Sequence, residues 1–136
     1  MLEWQAGLYV QEKVIGIPDI VLLGMMTSAA KKVKKGQQAK SGIFIEGFFP
    51  LRYEGPKDLK KLWEDEKFRL TVKVTVNRNS IMRTRPKFDK WSLEFGAEID
   101  TTLINTGDFT EILKIGGKQI GLGDWRPRYG RFEVVS

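Results

Sequence analysis

The segment RLTVKVTVN at residues 69–77 has the most regular strand pattern of the chain. Apolar residues at positions 70, 72, 74 and 76 alternate with polar residues, and successive side chains of a β-strand point to opposite faces. The segment therefore predicts a strand with one apolar and one polar face. Arg69 and Lys73 fall on the polar face, which makes that face basic.

Outside this segment, shorter patterns predict more extended chain. Residues 43–49 are apolar at almost every position, which is typical of a central strand that is covered on both faces. Residues 90–99 repeat the alternation of the first strand. Residues 4–17 predict an extended or hairpin segment, and residues 119–122 and 131–135 predict short closing strands.

Three segments have helical patterns. Between residues 20 and 35, the apolar positions 22, 26, 29 and 33 form one stripe. Pro18 and Asp19 mark the start of this helix, and Gly36 is predicted to adopt the left-handed conformation that caps its end. A short amphipathic helix is predicted at 56–63. Asp108 is predicted to cap a helix that runs to about residue 115 and stops at Gly116.

The predicted elements follow the order β-α-β, β-β, α-β-β. This order indicates the α+β class and resembles a ferredoxin-like (RRM- or RAMP-like) sandwich, an antiparallel sheet with two helices on one face. A chain of 136 residues suits one compact core, and no stretch has the composition of a linker. Residues 1–136 are therefore predicted to form a single α+β domain.

The chain contains no His and no Cys. Disulfides, thiol nucleophiles, thiolate metal sites, imidazole bases and His-ligated metals are therefore excluded. Carboxylate, Lys and Tyr chemistry remain, and the acidic run at 64–66 is the segment where Mg²⁺ could bind. Three consecutive acids do not share one face of a helix or strand, so a solvated turn is the favoured interpretation. We expect a protein that is not an enzyme and has neither a cofactor nor a metal.

The net charge of +6 is concentrated in a few segments. Residues 67–90 hold eight basic residues and one acid, a local charge of +7, while residues 31–40 hold five lysines and no acid. Such clustering indicates a polyanionic partner, and a solvated basic surface is the alternative. For Lys34 and Lys35, in the last turn of the predicted helix, attraction to the helix dipole is a sufficient explanation.

The segment RTRPKFDKW at 83–91 combines basic and aromatic residues around Pro86. Proline lacks the N–H group that regular sheet pairing needs, so the segment is predicted to connect two strands. Loops held by a rigid sheet are common places for ligand contacts. The alternative is a charged hairpin tip without a ligand.

The most distinctive local feature is GLGDWRPRYGRF at 121–132. Its glycines allow positive φ or a close approach of the backbone. Its arginines suit phosphate groups, and Trp125 and Tyr129 suit stacking on unpaired bases. The alternative is that the rings belong to the core and the arginines stack on them.

These segments together define a candidate nucleic-acid interface. The candidate nucleic-acid-binding residues are Arg69, Lys73, Arg78, Arg83, Arg85, Lys87, Trp125, Arg126, Arg128, Tyr129 and Arg131. The candidate backbone loop consists of Gly121, Gly123 and Gly130.

The stretches RTRPKFDKW and IGGKQIGLGDWRPRYGRFEV resemble a family of uncharacterised bacteriophage-encoded proteins. That family has an Arg-Pro-x-Phe-x-x-Trp stretch, a helix, and then Gly-x-Gly-(Asp/Glu)-Trp-Arg-Pro. Residues 7–36 also resemble its β-turn-Ile-Pro-helix segment. Members of the family begin with a further strand and polar region, so the resemblance implies either a short form or a first strand that comes from elsewhere, and with it an open sheet edge that a neighbouring subunit could cover.

The order of elements and the glycines at 121, 123 and 130 also resemble the repeat-associated RNA-binding proteins of CRISPR systems. That resemblance implies a ferredoxin-like fold and a Gly-rich loop that contacts an RNA backbone. Members that cut RNA often use a His, which this chain lacks, so binding without cleavage is the implied activity.

The expected function is non-catalytic binding of single-stranded DNA or RNA by a phage-type protein. Lys and Arg would neutralise phosphates, and Trp or Tyr would stack on bases. The alternative is a protein-interaction or assembly module that binds a host factor or defence system, or that forms a homo-oligomer. The longest apolar stretch is far shorter than the roughly 18–20 residues of a membrane span, and no leader pattern is present, so we expect a cytoplasmic protein of the bacterial host.

Overall fold

The computed structural model describes residues 2–122 and 130–135. The chain divides into two compact units, each assembled from two separate segments. Unit 1 consists of residues 1–17 and 49–94, and unit 2 consists of residues 18–48 and 95–136. Both units contain helices and short strands, so the predicted mixed α and β composition is confirmed. That the whole chain behaves as one domain stays a prediction.

The described part of the chain contains five α-helices. They are α1 (Leu2–Ala6), α2 (Asp19–Lys31), α3 (Gly36–Gly42), α4 (Leu59–Glu64) and α5 (Thr106–Ile115). A 3₁₀ turn at Glu66–Phe68 precedes the longest strand, and a π-helical segment at Gly116–Ile120 continues α5.

Seven short strands form three antiparallel sheets in the same residues. The strands are β1 (Val10–Gln11), β2 (Val14–Pro18), β3 (Ile43–Phe44), β4 (Phe48–Pro50), β5 (Arg69–Val76), β6 (Asn79–Pro86) and β7 (Glu98–Ile99). The sheets have the orders β1-β2-β4, β3-β7 and β5-β6. Because the strands are divided among three small sheets, a ferredoxin-like fold with one larger sheet is not confirmed.

The core of unit 1 forms around Trp4, which is fully buried with Ile15, Leu62 and Phe68. The indole N–H of Trp4 donates a hydrogen bond of 2.8 Å to the carbonyl of Phe68. The sequence predicts that residues 4–17 are extended. This prediction is wrong for residues 4–6, which belong to α1. The helix turns the Trp4 side chain into the core, whereas the predicted hairpin further along is confirmed as β1 and β2.

The strand predicted at 69–77 is confirmed as β5, and β6 pairs with it from Arg69↔Pro86 to Val76↔Asn79. Asn77 and Arg78 have φ of 51° and 66°, as in the type I′ turn that two-residue hairpins favour. The prediction that Arg83 and Arg85 lie on a connecting loop is therefore wrong. Pro86 is compatible with β6 because it stands at the end of the strand, where the loss of one N–H donor is tolerated.

Two other strand predictions are largely wrong. In 43–49, only β3 and the start of β4 are extended, because Gly47 has a φ of 126° and exchanges hydrogen bonds with Asp19. In 90–99, only β7 and one bridge between Ser92 and Arg52 are paired. The two halves of the alternating pattern at 90–99 pair with different segments: Ser92 pairs with Arg52, whereas Glu98 and Ile99 pair with β3.

In unit 2, α2 buries most of the predicted apolar stripe, including Leu22, Met26 and Ala29. The helix ends at Lys31 rather than at 35, and Lys34, with a φ of 61°, takes the left-handed position predicted for Gly36. Asn105, not Asp108, caps α5, since its side chain accepts a hydrogen bond from the backbone N–H of Asp108.

The closing strands predicted at 119–122 and 131–135 are not strands. The first falls largely in the π-helical segment, whose glycines pack closely: a Cβ on Gly117 would collide with the carbonyl of Phe132. Backbone hydrogen bonds from Leu122 to Gly130 and from Phe132 to Gly117 hold the second segment in place without a ladder.

Candidate nucleic-acid interface

Five of the candidate cations lie on the β5–β6 hairpin. Residues 69–86 contain five basic residues and no acid. Directly paired residues of an antiparallel ladder share a face. The pairing of Arg69 with Pro86 and of Lys73 with Met82 places Arg69 and Lys73 on one face, whereas Arg83 and Arg85 pair with Val72 and Leu70 on the other. The predicted basic face therefore holds two of the five cations, and Arg78 lies in the turn.

The cations at the base of the hairpin have structural partners. The guanidinium of Arg69 stands 4.9 Å from the ring centroid of Trp63, which in turn makes an edge-on contact with Trp4. The Nη1 atom of Arg85 is 3.4 Å from a carboxylate oxygen of Glu3 on α1, and its side chain is only 18% exposed. Arg69 and Arg85 therefore fix the hairpin to the core of unit 1.

Lys87 follows the hairpin directly. Its Nζ is 3.7 Å from a carboxylate oxygen of Asp89, and its backbone N–H donates to the carbonyl of Phe68. Lys87 thus holds the chain against the buried Phe68, and its charge is partly compensated.

Three cations remain at the outer part of the hairpin: Lys73, Arg78 and Arg83. None of them forms an ion pair with a residue in 2–122 or 130–135. Lys73 and Arg78 are exposed, and Arg83 is half-buried. We call these three residues the distal cations. Lys73 pairs with Met82 and Arg83 pairs with Val72, while the hydroxyls of Thr71 and Thr84 are 2.9 Å apart across the strands.

The second face of the hairpin is apolar towards the turn. Val74 pairs with Ile81 on this face, next to Val76. Val76 is 38% exposed and Ile81 is 40% exposed. This face is therefore apolar only towards the turn, where the described residues of unit 1 leave it partly uncovered, and it carries Arg83 and Arg85 nearer the base of the hairpin.

The C-terminal candidates are only partly described. Trp125, Arg126, Arg128, Tyr129 and Gly123 lie outside the described residues. Gly121 and Gly130 have φ of 74° and 83°, which confirms that these positions require glycine. A Cβ on Gly130 would collide with the carbonyl of Leu122, so packing alone explains this glycine. Arg131 is exposed.

The acidic run at 64–66 has a structural role at its centre. The Asp65 side chain accepts a hydrogen bond of 3.0 Å from the backbone N–H of Lys67 and so caps the 3₁₀ turn. In the part of the chain that the structure describes, no group of three or more acidic residues is arranged to hold a metal ion. None of the helices there has the length and apolarity that crossing a bilayer requires.

Sequence reasoning missed two features of this site. The first is the turn at Asn77 and Arg78, since Arg is unusual at a position with positive φ. Asn at its first position was the available signal. The second is that Arg69 contacts Trp63 and Arg85 contacts Glu3, which depends on how the hairpin packs on α4 and α1.

No protein-family model, curated protein or solved structure matches this chain. The resemblances to a phage-encoded family and to CRISPR repeat-associated proteins stay predictions from the sequence.

Proposed function

We propose that this protein binds single-stranded DNA or RNA without catalysis, and that the distal cations contact its phosphates. The observation that carries the proposal is an 18-residue hairpin with no acid, on which Lys73, Arg78 and Arg83 form no ion pair with the described residues. Phosphate neutralisation by such cations provides most of the affinity in non-specific nucleic-acid binding.

The arrangement of the distal cations favours a ligand that passes over the end of the hairpin. Lys73 lies on one face, Arg83 lies on the other, and Arg78 lies in the turn that joins them. A small anion bound on one face would not reach all three. A chain of phosphates that crosses the turn would contact each of them in succession.

Base stacking has to come from elsewhere, because residues 69–86 contain no aromatic residue. Trp125 and Tyr129 remain the sequence's candidates for this contact, and with Arg126, Arg128 and Arg131 they complete the proposed interface. A ferredoxin-like arrangement and a phage origin also remain proposals, and the role of the distal cations depends on neither.

The test removes the distal cations together in the variant Lys73→Gln/Arg78→Gln/Arg83→Gln. The matched control, Lys13→Gln/Lys60→Gln/Lys61→Gln, removes three exposed charges from the same unit. Affinity for labelled 20-nucleotide single strands of DNA and RNA, and for a duplex of the same sequence, is measured by fluorescence anisotropy at low salt. Circular dichroism confirms that each variant is folded.

The distal variant should bind single strands at least about tenfold more weakly than the wild type, and the control less than about threefold more weakly. If the two variants lost affinity equally, net charge alone would explain the loss, and the proposal would be contradicted. Tighter binding to the duplex than to single strands would contradict its single-strand part.

The apolar face of the hairpin favours a second candidate function, protein interaction or self-assembly. Half-exposed Val76 and Ile81 lie on a two-stranded sheet, whose outer edges can pair with another chain. Native mass spectrometry of the wild type and of Val76→Thr/Ile81→Thr tests this candidate. An oligomer that the substitutions dissociate would support it, and a monomer at every concentration would count against self-assembly.

A further inference from the structure

A groove lies between α2 and α3 in unit 2, with a volume of about 700 Å³. Its α2 side is formed by Ile20, Leu23, Gly24, Thr27 and Lys31, which recur on one helical face. Residues of α3 and of the connection between the helices form the other side. The volume falls within the range of small-molecule sites.

The groove has a cationic lining. Lys31, Lys34 and Lys40 line it, and no acidic residue does. None of the three forms an ion pair with a described residue, whereas the neighbouring Lys35 is 2.6 Å from a carboxylate oxygen of Asp108. Of the five lysines at 31–40, one is thus paired, three line an open groove, and Lys32 lies outside the groove.

The groove also has an apolar part, and its floor at Gly24 is open. Ile20 is 76% exposed, and Leu23 lines the groove beside it. A Cβ added at Gly24 would have no neighbouring atom within 4 Å. The hydroxyl of Thr27 donates to the carbonyl of Leu23 within the helix, so its hydrogen is not directed into the apolar part of the groove.

The backbone at Lys34 is unfavourable for a lysine. The N–H of Lys35 bonds to the carbonyl of Ala30, and the N–H of Lys34 bonds to the carbonyl of Lys31. This is the Schellman pattern, in which the left-handed residue is usually glycine. Lys34 occupies that position with a φ of 61°, so a charged side chain is held on the groove at the expense of backbone stability.

We propose that this groove binds a phosphomonoester that carries a compact apolar group. A dianionic phosphate matches three cations with no acid among them, and each lysine can act as a point-charge partner of phosphate. The apolar group would cover Ile20 and Leu23. The site lies in the other unit from the hairpin and does not depend on nucleic-acid binding.

The test titrates the ¹⁵N-labelled protein with phenyl phosphate, inorganic phosphate and phenol, followed by amide chemical shifts. Phenyl phosphate should shift residues 20–40 and bind at least about fivefold more tightly than inorganic phosphate, because its ring buries apolar surface. Phenol should bind more weakly than either. Shifts outside 20–40, or equal affinities of phenyl phosphate and inorganic phosphate, would overturn the proposal.

Two variants separate binding from folding. Gly24→Leu fills the open floor and replaces a glycine inside a helix, so it should raise stability and weaken phenyl phosphate binding at least about tenfold. Lys34→Gly should also be at least as stable as the wild type and bind about threefold to tenfold more weakly. Lys32→Gln, an exposed lysine outside the groove, should bind like the wild type.

A folded Gly24→Leu variant that binds phenyl phosphate normally would overturn the proposal. Its oligonucleotide affinity should equal that of the wild type, which distinguishes failure of the groove from failure of the nucleic-acid proposal.

Discussion

Trp4 is the residue on which unit 1 depends most. Its side chain is fully buried, its ring makes an edge-on contact with Trp63 at 5.4 Å between centroids, and its N–H donates to the carbonyl of Phe68. Arg69 stacks on Trp63 in turn. The base of the hairpin is therefore connected to the core through two tryptophans, which explains why Arg69 is less available to a ligand than its basic sequence context suggests.

The Trp4→Phe substitution should lower the free energy of unfolding by about 2 kcal/mol, because it removes one buried hydrogen bond and leaves a small cavity. Chemical denaturation measures the change. Trp63→Phe should cost less, because the ring of Trp63 is half-buried and donates no hydrogen bond to a described residue. A larger loss for Trp63→Phe than for Trp4→Phe would contradict this ranking.

At the residue scale, the sequence predicts correctly those features that depend only on the local backbone conformation. The glycines at 121–130 were predicted to allow a positive φ or a close approach of the backbone, and Gly121 and Gly130 have a positive φ. The roles of Arg69 and Arg85 could not be predicted, because Trp63 and Glu3 reach them only in the folded chain. A sequence does not show whether an arginine is exposed to solvent or contacts other side chains of the folded protein.

The β5–β6 hairpin is the element that organises the proposed interface. Its turn places Arg78 at a φ of 66°, and the turn of the β1–β2 hairpin places Lys13 at the same φ. Both positions would suit glycine better. The two turns therefore offer matched substitutions in one unit.

Arg78→Gly and Lys13→Gly should each raise the free energy of unfolding by up to about 1 kcal/mol, because each removes a side chain from the left-handed region. Urea denaturation measures both changes. Only Arg78→Gly should weaken oligonucleotide binding. If Lys13→Gly weakened binding equally, the turn of β5–β6 would have no special part in it.

The contact between Lys35 and Asp108 connects the start of α3 to α5. The Lys35 ammonium donates to the Asp108 carboxylate, and this hydrogen bond is the main cause that lowers the pKa of that carboxyl below its ordinary value. A lowered carboxyl pKa in the folded state adds stability that is fully present above the unfolded pKa of about 3.9 and is lost as the pH falls through the folded pKa.

The Lys35→Met variant should therefore be less stable than the wild type near neutral pH, and the difference should shrink below about pH 4. Thermal unfolding at a series of pH values tests this. Lys32→Met, an exposed neighbour, should show no such pH dependence. A difference between Lys35→Met and the wild type that persists unchanged in acid would contradict the assignment.

At the element scale, periodicity predicted β5 and most of α2 correctly. The same alternation at 90–99 did not produce one continuous strand, because its two halves pair with different segments, Ser92 with Arg52 and β7 with β3. Pro86 was predicted to prevent strand pairing at 83–91, yet it is the last residue of β6 and pairs with Arg69. Periodicity describes how side chains alternate, and it does not identify the partner that a strand needs.

At the scale of the whole molecule, the basic residues of the β5–β6 hairpin do not share one face. The hairpin carries Lys73 and Arg83 on opposite faces, with Arg78 at its turn. The lysines of unit 2 line a groove of their own. The charge clusters were evident in the sequence, but their division between a hairpin and a groove depends on strand register and helix packing.

The central claim is that the distal cations contact phosphates, and the salt dependence of binding tests it most directly. The logarithm of the association constant for single-stranded oligonucleotides is measured against the logarithm of salt concentration for the wild type and the distal variant. Each phosphate contact contributes about 0.7 to the slope on a single strand. The distal variant should have a slope smaller by about 2, and equal slopes for the two proteins would contradict the claim.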